Sequence, residues 1–165
     1  MSAYTGAAQI DGSSTLEFSS TYVGGATFSG ASTGPAGTLQ FDAGSTGPIT
    51  VANSNDTVIA QPGSDNWINA IVSYTLPTNI DTLFLFAGAQ GAGNSNASGD
   101  ALYALDTVNT QTLSGNSAND AFVVFNSSDV VVPKAGSRDV VYAAARWRRC
   151  MAPRSTARSS KAAAC

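Results

Sequence analysis

The stretch Thr38-Leu-Gln-Phe-Asp-Ala-Gly-Ser-Thr-Gly-Pro-Ile-Thr-Val51 sets the pattern for the first third of the chain. Apolar residues alternate with polar ones in short pairs, and Gly/Pro clusters such as Gly47-Pro48 indicate turns between them. The pairs are Leu16/Phe18, Ala26/Phe28, Leu39/Phe41 and Ile49/Val51. A period of two is typical of β-strands. Very short strands at near-regular intervals predict the stacked rungs of a solenoid, although a small sandwich also fits.

Residues 51–70 recur as residues 124–143, with an offset of 73 and no gap. Eight of the twenty aligned positions are identical. The residues Val51, Asn53, Ser54, Asp56, Val58, Gly63, Ser64 and Ala70 match Val124, Asn126, Ser127, Asp129, Val131, Gly136, Ser137 and Ala143. An ungapped match that keeps the Asn-Ser-x-Asp and Gly-Ser spacings indicates a recurring structural unit.

Other segments extend the strand pattern. Residues 82–86 are predicted to form a buried strand, and residues 113–125 a Gly/Asn turn that leads into another. Residues 101–105 lack glycine and β-branched side chains, so one short helix is allowed there. The predicted fold is all-β, a parallel β-helix or β-roll-like solenoid of short stacked strands, with an irregular or partly helical C-terminal tail. Its predicted core residues are Leu16, Phe18, Phe28, Leu39, Phe41, Leu83, Leu85, Leu113, Phe122 and Val124.

Charge divides the chain into two parts. Residues 1–133 hold ten of the eleven carboxylates but no Lys, Arg or His, and all eight basic residues lie between Lys134 and Lys161. The long acidic part must stay well solvated or recruit cations from outside. Because it has no basic side chains to neutralise phosphates, nucleic acid is not an expected partner.

The missing residue types also exclude most catalytic chemistry. The chain has no histidine, and its two cysteines are Cys150 and Cys165, so a Ser-His-Asp triad and a His-based metal site are excluded. A lyase needs a base that works near neutral pH or a basic residue beside its carboxylates, and residues 1–133 offer neither. We therefore expect no enzymatic activity. We also expect no membrane span, since no apolar run reaches about 18 residues, and we find no N-terminal secretory signal.

The composition changes abruptly after Ala145. The second repeat copy fails there, and Arg146-Trp-Arg-Arg stands where the first copy continues Ser73-Tyr-Thr-Leu. We divide the chain into a Gly/Ser/Thr-rich β-repeat region (1–50), a solenoid repeat region (51–145) and a basic tail (146–165). The tail is either a segment that binds acidic partners or the product of a shifted reading frame, not native to the fold.

Five short motifs follow one another in the middle of the chain. They are Asn55-Asp-Thr-Val-Ile-Ala, Gly63-Ser-Asp, Ser73-Tyr-Thr-Leu-Pro, Gly91-x-Gly-Asn and Leu113-Ser-Gly-Asn-Ser-Ala-Asn-Asp. In this order, residues 51–145 resemble the haemolysin-type calcium-binding repeat (RTX) proteins of Gram-negative bacteria, with degenerate repeats. The resemblance implies a calcium-binding β-roll, type I secretion, an extracellular location, and folding on calcium outside the cell.

The family's repeat is the nonapeptide Gly-Gly-x-Gly-x-Asp-x-apolar-x, and residues 115–123 match it best. Gly115 and Asp120 hold its first and sixth positions and Phe122 its inward eighth, whereas Asn116 and Ala118 replace two glycines. The resemblance implies that stacked turns hold calcium through oxygen ligands. The implied metal ligands are Asp120, the carbonyls of the turn from Gly115 to Asn119, and either Asp100 or Asp106 as the neighbouring carboxylate.

Other interpretations of these residues stay open. Asp100 and Asp106 also fit solvated turn acids, and five asparagines fit an amide ladder inside a solenoid. These are Asn94, Asn96, Asn109, Asn116 and Asn119. The leading functional prediction is a non-catalytic, extracellular calcium-binding repeat region. The alternatives are a calcium-independent adhesin or surface-layer segment with cell-surface or polysaccharide ligands, and the repeat part of a larger secreted hydrolase.

Overall fold

The computed structural model describes residues 8–10, 14–18, 22–28, 35–96 and 98–144. Within these ranges the chain forms fifteen β-strands and no helix. The strands are β1 (Ala8–Ile10), β2 (Thr15–Phe18), β3 (Ala26–Phe28), β4 (Thr38–Phe41), β5 (Thr46–Val51), β6 (Thr57–Ala60), β7 (Asp65–Ala70), β8 (Tyr74–Thr75), β9 (Thr82–Leu85), β10 (Gln90–Ala92), β11 (Ala101–Ala104), β12 (Thr112–Ser114), β13 (Ala121–Val124), β14 (Val130–Val132) and β15 (Val140–Ala143).

Successive strands alternate between two faces of a solenoid. The odd-numbered strands form one eight-stranded sheet, β1-β3-β5-β7-β9-β11-β13-β15, called here the long sheet. The even-numbered strands form two short sheets, β2-β4-β6 and β8-β10-β12-β14. The pairings between these strands are parallel, so each turn of the chain adds one strand to each face. The predicted all-β parallel solenoid is confirmed, and the fold is not the alternative small sandwich.

Inward-facing side chains stack in rows along the solenoid. In the long sheet Ile49, Ile68, Leu83, Leu102 and Phe122 occupy one aligned position and are buried. Such parallel in-register stacking removes the apolar row from water while polar and aromatic neighbours face outward. All the predicted core residues are buried except Leu16, which is half-buried and packs against the core. The two copies of the 20-residue repeat, 51–70 and 124–143, lie four turns apart, one running from the end of β5 through β7 and the other from the end of β13 through β15.

Two local predictions are wrong. Residues 101–105 do not form a helix, because Leu102 and Ala104 both point into the core with the period of a strand. Gly47-Pro48 lies inside β5 and not in a turn. Residues 22–28 pair with β5 on both sides of Pro48, since Thr46 bonds to this segment before it and Ile49 pairs with Ala26 after it, so Pro48 interrupts this pairing by a single missing N–H.

The long sheet runs through the boundary drawn at residue 50, because β5 contains residues on both sides of it. The basic tail, residues 146–165, lies outside the described residues, so the two interpretations of it stay predictions. In the part of the chain that the structure describes, no helix is long and apolar enough to cross a membrane.

Candidate functional site

The candidate site is a row of loops that we call the return loops, which lead from a short sheet back to the long sheet. They span residues 42–45, 61–64, 76–81, 93–100, 115–120 and 133–139. The parallel register aligns the strands that follow the last four. Asp81, Asp100, Asp120 and Asp139 therefore stack one above another from turn to turn.

Asp120 lies in this row, is buried, and has both carboxylate oxygens hydrogen-bonded. The backbone N–H of Asp100, one turn earlier, donates to Oδ1 over 2.8 Å. Ser117 donates its backbone N–H to Oδ2 over 3.1 Å and its hydroxyl to Oδ1. The Asp120 carboxylate thus closes its own loop and links it to the preceding turn. A carboxylate held by three donors stabilises the fold without a metal ion.

Asp139 repeats this arrangement one turn later. It accepts the backbone N–H of Asp120 over 2.8 Å and the Ser137 hydroxyl over 2.6 Å. Sequence reasoning missed Ser117 and Ser137 as partners of these carboxylates. A serine two or three residues before an aspartate was the available signal, because that spacing suits a turn closed by the carboxylate.

The loops that lead from the long sheet to the short sheets are linked in the same way. Asp129 accepts the N–H of Gln111 from the preceding turn over 2.9 Å and that of Asn126 over 3.1 Å. Asp56, its counterpart in the first repeat copy, accepts the N–H of Gly37 over 3.0 Å. The Asn-Ser-x-Asp motif recognised in the sequence is therefore a turn-linking unit.

Asp100 differs from its neighbours in the row. It is only 2% exposed, and neither carboxylate oxygen has a hydrogen-bond partner. Burial raises the pKa of Asp100 to about 7, and the negative charges of Asp120 and Asp81 act in the same direction. The Asn94 backbone N–H lowers this pKa but does not reach hydrogen-bonding geometry. A buried carboxyl group without donors must hold a proton or be balanced by a cation.

Gly115 and Gly93 begin the two loops and are needed for space. A Cβ at Gly115 would lie 2.5 Å from Asp120 Oδ2, and a Cβ at Gly93 would lie 2.5 Å from Asp100 Oδ2. Neither glycine has a positive φ, and neither do Asn116 and Ala118, which replace the family's glycines. The degenerate nonapeptide therefore forms its turn without left-handed residues at those positions.

Asp106 lies away from the other implied ligands. It follows β11, whereas Asp100 precedes that strand, so the structure places the two carboxylates at opposite ends of the strand. Asp106 accepts hydrogen bonds from Asn109 Nδ2 over 2.8 Å and from the N–H groups of Asn109 and Val108. These bonds, that of the Asn109 side chain most, lower the pKa of Asp106. The structure brings together Gly115, Asn119, Asp120 and Asp100, but not Asp106.

Asparagine side chains also connect the turns. Asn94 Nδ2 donates to the Pro77 carbonyl over 2.7 Å, and Asn116 Nδ2 donates to the Gly93 carbonyl over 2.7 Å. These are side-chain bonds to the backbone of the preceding turn, and not the stacked asparagine side chains of the predicted amide ladder. Asn96 instead donates its backbone N–H to Asn94 Oδ1 within one loop.

Acidic side chains alone do not build a metal site here. Within the ranges given above, no three acidic or thiol side chains are grouped so that they could hold one metal ion. A cation beside Asp100 would therefore need backbone carbonyl oxygens as its other ligands, which calcium accepts readily.

Fold and site together define a two-faced parallel β-solenoid whose turns are linked by carboxylates and amides. No family model, curated protein or solved structure matches the chain. The likeness to RTX repeats is therefore carried by the motifs alone.

Proposed function

We propose that this chain is a non-catalytic repeat segment of an extracellular, RTX-like solenoid protein that calcium stabilises outside the cell. One observation carries the proposal: Asp100 is buried in a stack of carboxylates with both oxygens unpartnered. Residues 1–133 contain no basic side chain that could balance this charge. When Asp100 is ionised, we expect a cation from solution to balance its charge.

Asp100 is a better calcium ligand than Asp120 in this arrangement. Calcium at Asp120 would have to displace donors from Asp100 and Ser117, whereas Asp100 has none to lose. With one free carboxylate and backbone carbonyls, the dissociation constant is expected on the order of 10⁻⁴ to 10⁻³ M, as in extracellular calcium modules. Such a site stays empty at cytosolic calcium and fills outside the cell, where binding adds to the free energy of unfolding.

A second candidate function is a calcium-independent solenoid that serves as an adhesin or surface-layer segment. The hydrogen bonds to Asp120, Asp129 and Asp139 favour it, because they link neighbouring turns without any metal. In this case Asp100 stays protonated near neutral pH and plays no part in binding.

Calcium titration of the full chain distinguishes these functions. We expect about 10 mM CaCl₂ at pH about 7.5 to raise the free energy of unfolding in urea by about 1.4 kcal/mol, for a dissociation constant of about 1 mM. Asp100→Asn should abolish this gain. Asp65→Asn should retain this gain, because the substitution removes the same charge from an exposed side chain.

Calorimetry on the same three proteins measures calcium binding directly, and MgCl₂ tests selectivity. If calcium changes neither stability nor heat in the unsubstituted protein, the calcium-independent function stands instead. An equal loss of the calcium-dependent stabilisation in Asp100→Asn and Asp65→Asn would show that calcium acts only by screening negative charge in general.

A further inference from the structure

A cleft opens where the two short sheets meet without pairing. Strands β6 and β8 follow one another on this face of the solenoid, yet they belong to different sheets. The cleft between them has a volume of about 540 Å³. The side chains that line its rim are mainly hydroxyls and amides. They include Ser54, Asn55, Thr57, Ser73, Thr75 and Gln90.

Side chains already occupy much of the β6 edge that faces this cleft. The Tyr74 hydroxyl donates to the Asp56 carbonyl over 3.1 Å. Asn79 Nδ2 donates to the Ala60 carbonyl over 2.8 Å. An added peptide strand would have to displace these bonds before it could pair with β6, so the edge is closed to strand addition. Recognition is left to the side chains of the rim.

The charges around the cleft limit the class of ligand that it can bind. Among the described residues, those that line the cleft include no basic side chain, so they offer an anionic ligand no counter-charge. Asp56 lies at its wall, is 7% exposed, and has no partner for Oδ2. In the second repeat copy, both oxygens of the equivalent Asp129 are hydrogen-bonded. The unpartnered Asp56 oxygen is itself buried, so the exposed hydroxyls and amides of the rim are the groups that can contact a ligand.

We propose that this cleft binds a neutral, hydroxyl-rich carbohydrate. The exposed side chains of Asn55 and Gln90 exchange hydrogen bonds with sugar hydroxyls, which both donate and accept. Pro77 adds a small apolar surface to the same wall. Calcium is not required, because none of the return-loop carboxylates above lines the cleft.

The test uses the full chain and four soluble probes, namely maltohexaose, cellohexaose, laminarihexaose and chitohexaose, with oligogalacturonate as the anionic comparison. Amide NMR shifts and calorimetry are recorded in CaCl₂ and in EDTA. We expect at least one neutral probe to shift residues 54–57, 73–75 and 90–92 in both buffers. Asn55→Ala with Gln90→Ala should weaken its binding about tenfold, as expected when hydrogen bonds to the ligand are lost.

The matched control is Asn109→Ala with Gln61→Ala, which removes the same two residue types from exposed positions outside the cleft. It should bind like the unsubstituted protein. Lack of binding by all neutral probes, shifts outside the cleft, equal weakening in the control, or equally tight binding of oligogalacturonate would each overturn the proposal. Shift mapping on the unsubstituted protein decides the matter even if a variant fails to fold. Binding in EDTA separates this outcome from that of the calcium experiment.

Discussion

The return loops 93–100 and 115–120 begin with the same residues, Gly-Asn-Ser, and both end in aspartate. Their carboxylates nevertheless have opposite environments. Asp120 accepts bonds from Asp100 and Ser117, whereas Asp100 accepts none. Two loops with the same chemical components thus hold one structural carboxylate and one buried carboxylate without donors.

Loop length accounts for the difference. Ser117 lies three residues before Asp120 and is buried against it, whereas Ser95 lies five residues before Asp100 and is exposed. The longer loop also passes close to the next turn, since a Cβ at Gly99 would lie 2.2 Å from the Asn119 carbonyl oxygen. A repeat motif therefore does not determine the role of its aspartate unless the spacing to the neighbouring donor is kept.

The largest expected effect belongs to Asp120→Ala. The change leaves two buried backbone N–H groups and the Ser117 hydroxyl without their acceptor, so we expect the free energy of unfolding to fall by about 3 kcal/mol. Urea denaturation measures the loss. Asp65→Ala is the control, because it removes an exposed acid at the start of β7, outside that row. A loss no greater than that of the control would show that the hydrogen bonds to Asp120 are not needed for stability.

Asp100→Asn should act in the opposite direction. Because the pKa of folded Asp100 is raised to about 7, the folded state holds a proton that the unfolded chain releases near pH 4. The contribution of Asp100 to stability is therefore complete below about pH 4, declines as pH rises to about 7, and is constant above that. In calcium-free buffer near pH 8, Asp100→Asn should be more stable than the unsubstituted protein by about 2 kcal/mol.

Urea denaturation of both proteins from pH 4 to pH 8 measures this difference as a function of pH. A difference that does not change with pH would mean that folded Asp100 titrates normally. The same series with Asp65→Asn controls for the loss of one negative charge.

Shortening the longer loop should give the smallest change in stability and the most direct test of spacing. Deleting residues 96–97 leaves Gly-Asn-Ser-Ser-Gly-Asp, with Ser95 three residues before Asp100 and Gly99 retained. We expect Ser95 to donate to Asp100, so that the pKa of Asp100 falls towards its ordinary range. A carboxyl-carbon NMR titration measures it. Adding Ser95→Ala to the deletion should restore the raised pKa of Asp100. If neither change alters the pKa of Asp100, loop length does not determine its environment.

The sequence alone determined the architecture, because the alternation of apolar pairs and the recurrence of one unit are local patterns. Leu39, Phe41 and Phe122 could be placed in the core from their period alone, since a strand with one buried face admits a single orientation. The same reasoning failed at Gly47-Pro48, where a turn pattern falls inside β5 because residues 22–28 and β7 pair with this segment along its two edges.

Only the tertiary structure decided what the polar residues do. Asp100 and Asp120 could each bind a metal ion, link neighbouring turns or stay without a partner. Which of these applies depends on donors from other turns and on burial by chain segments about twenty residues away. The separation of β6 from β8, which leaves the cleft beside Asp56, likewise depends on how successive turns stack. Strand formation follows from the period of nearby residues, whereas the charge state and accessibility of a carboxyl group follow from distant contacts that no local pattern encodes.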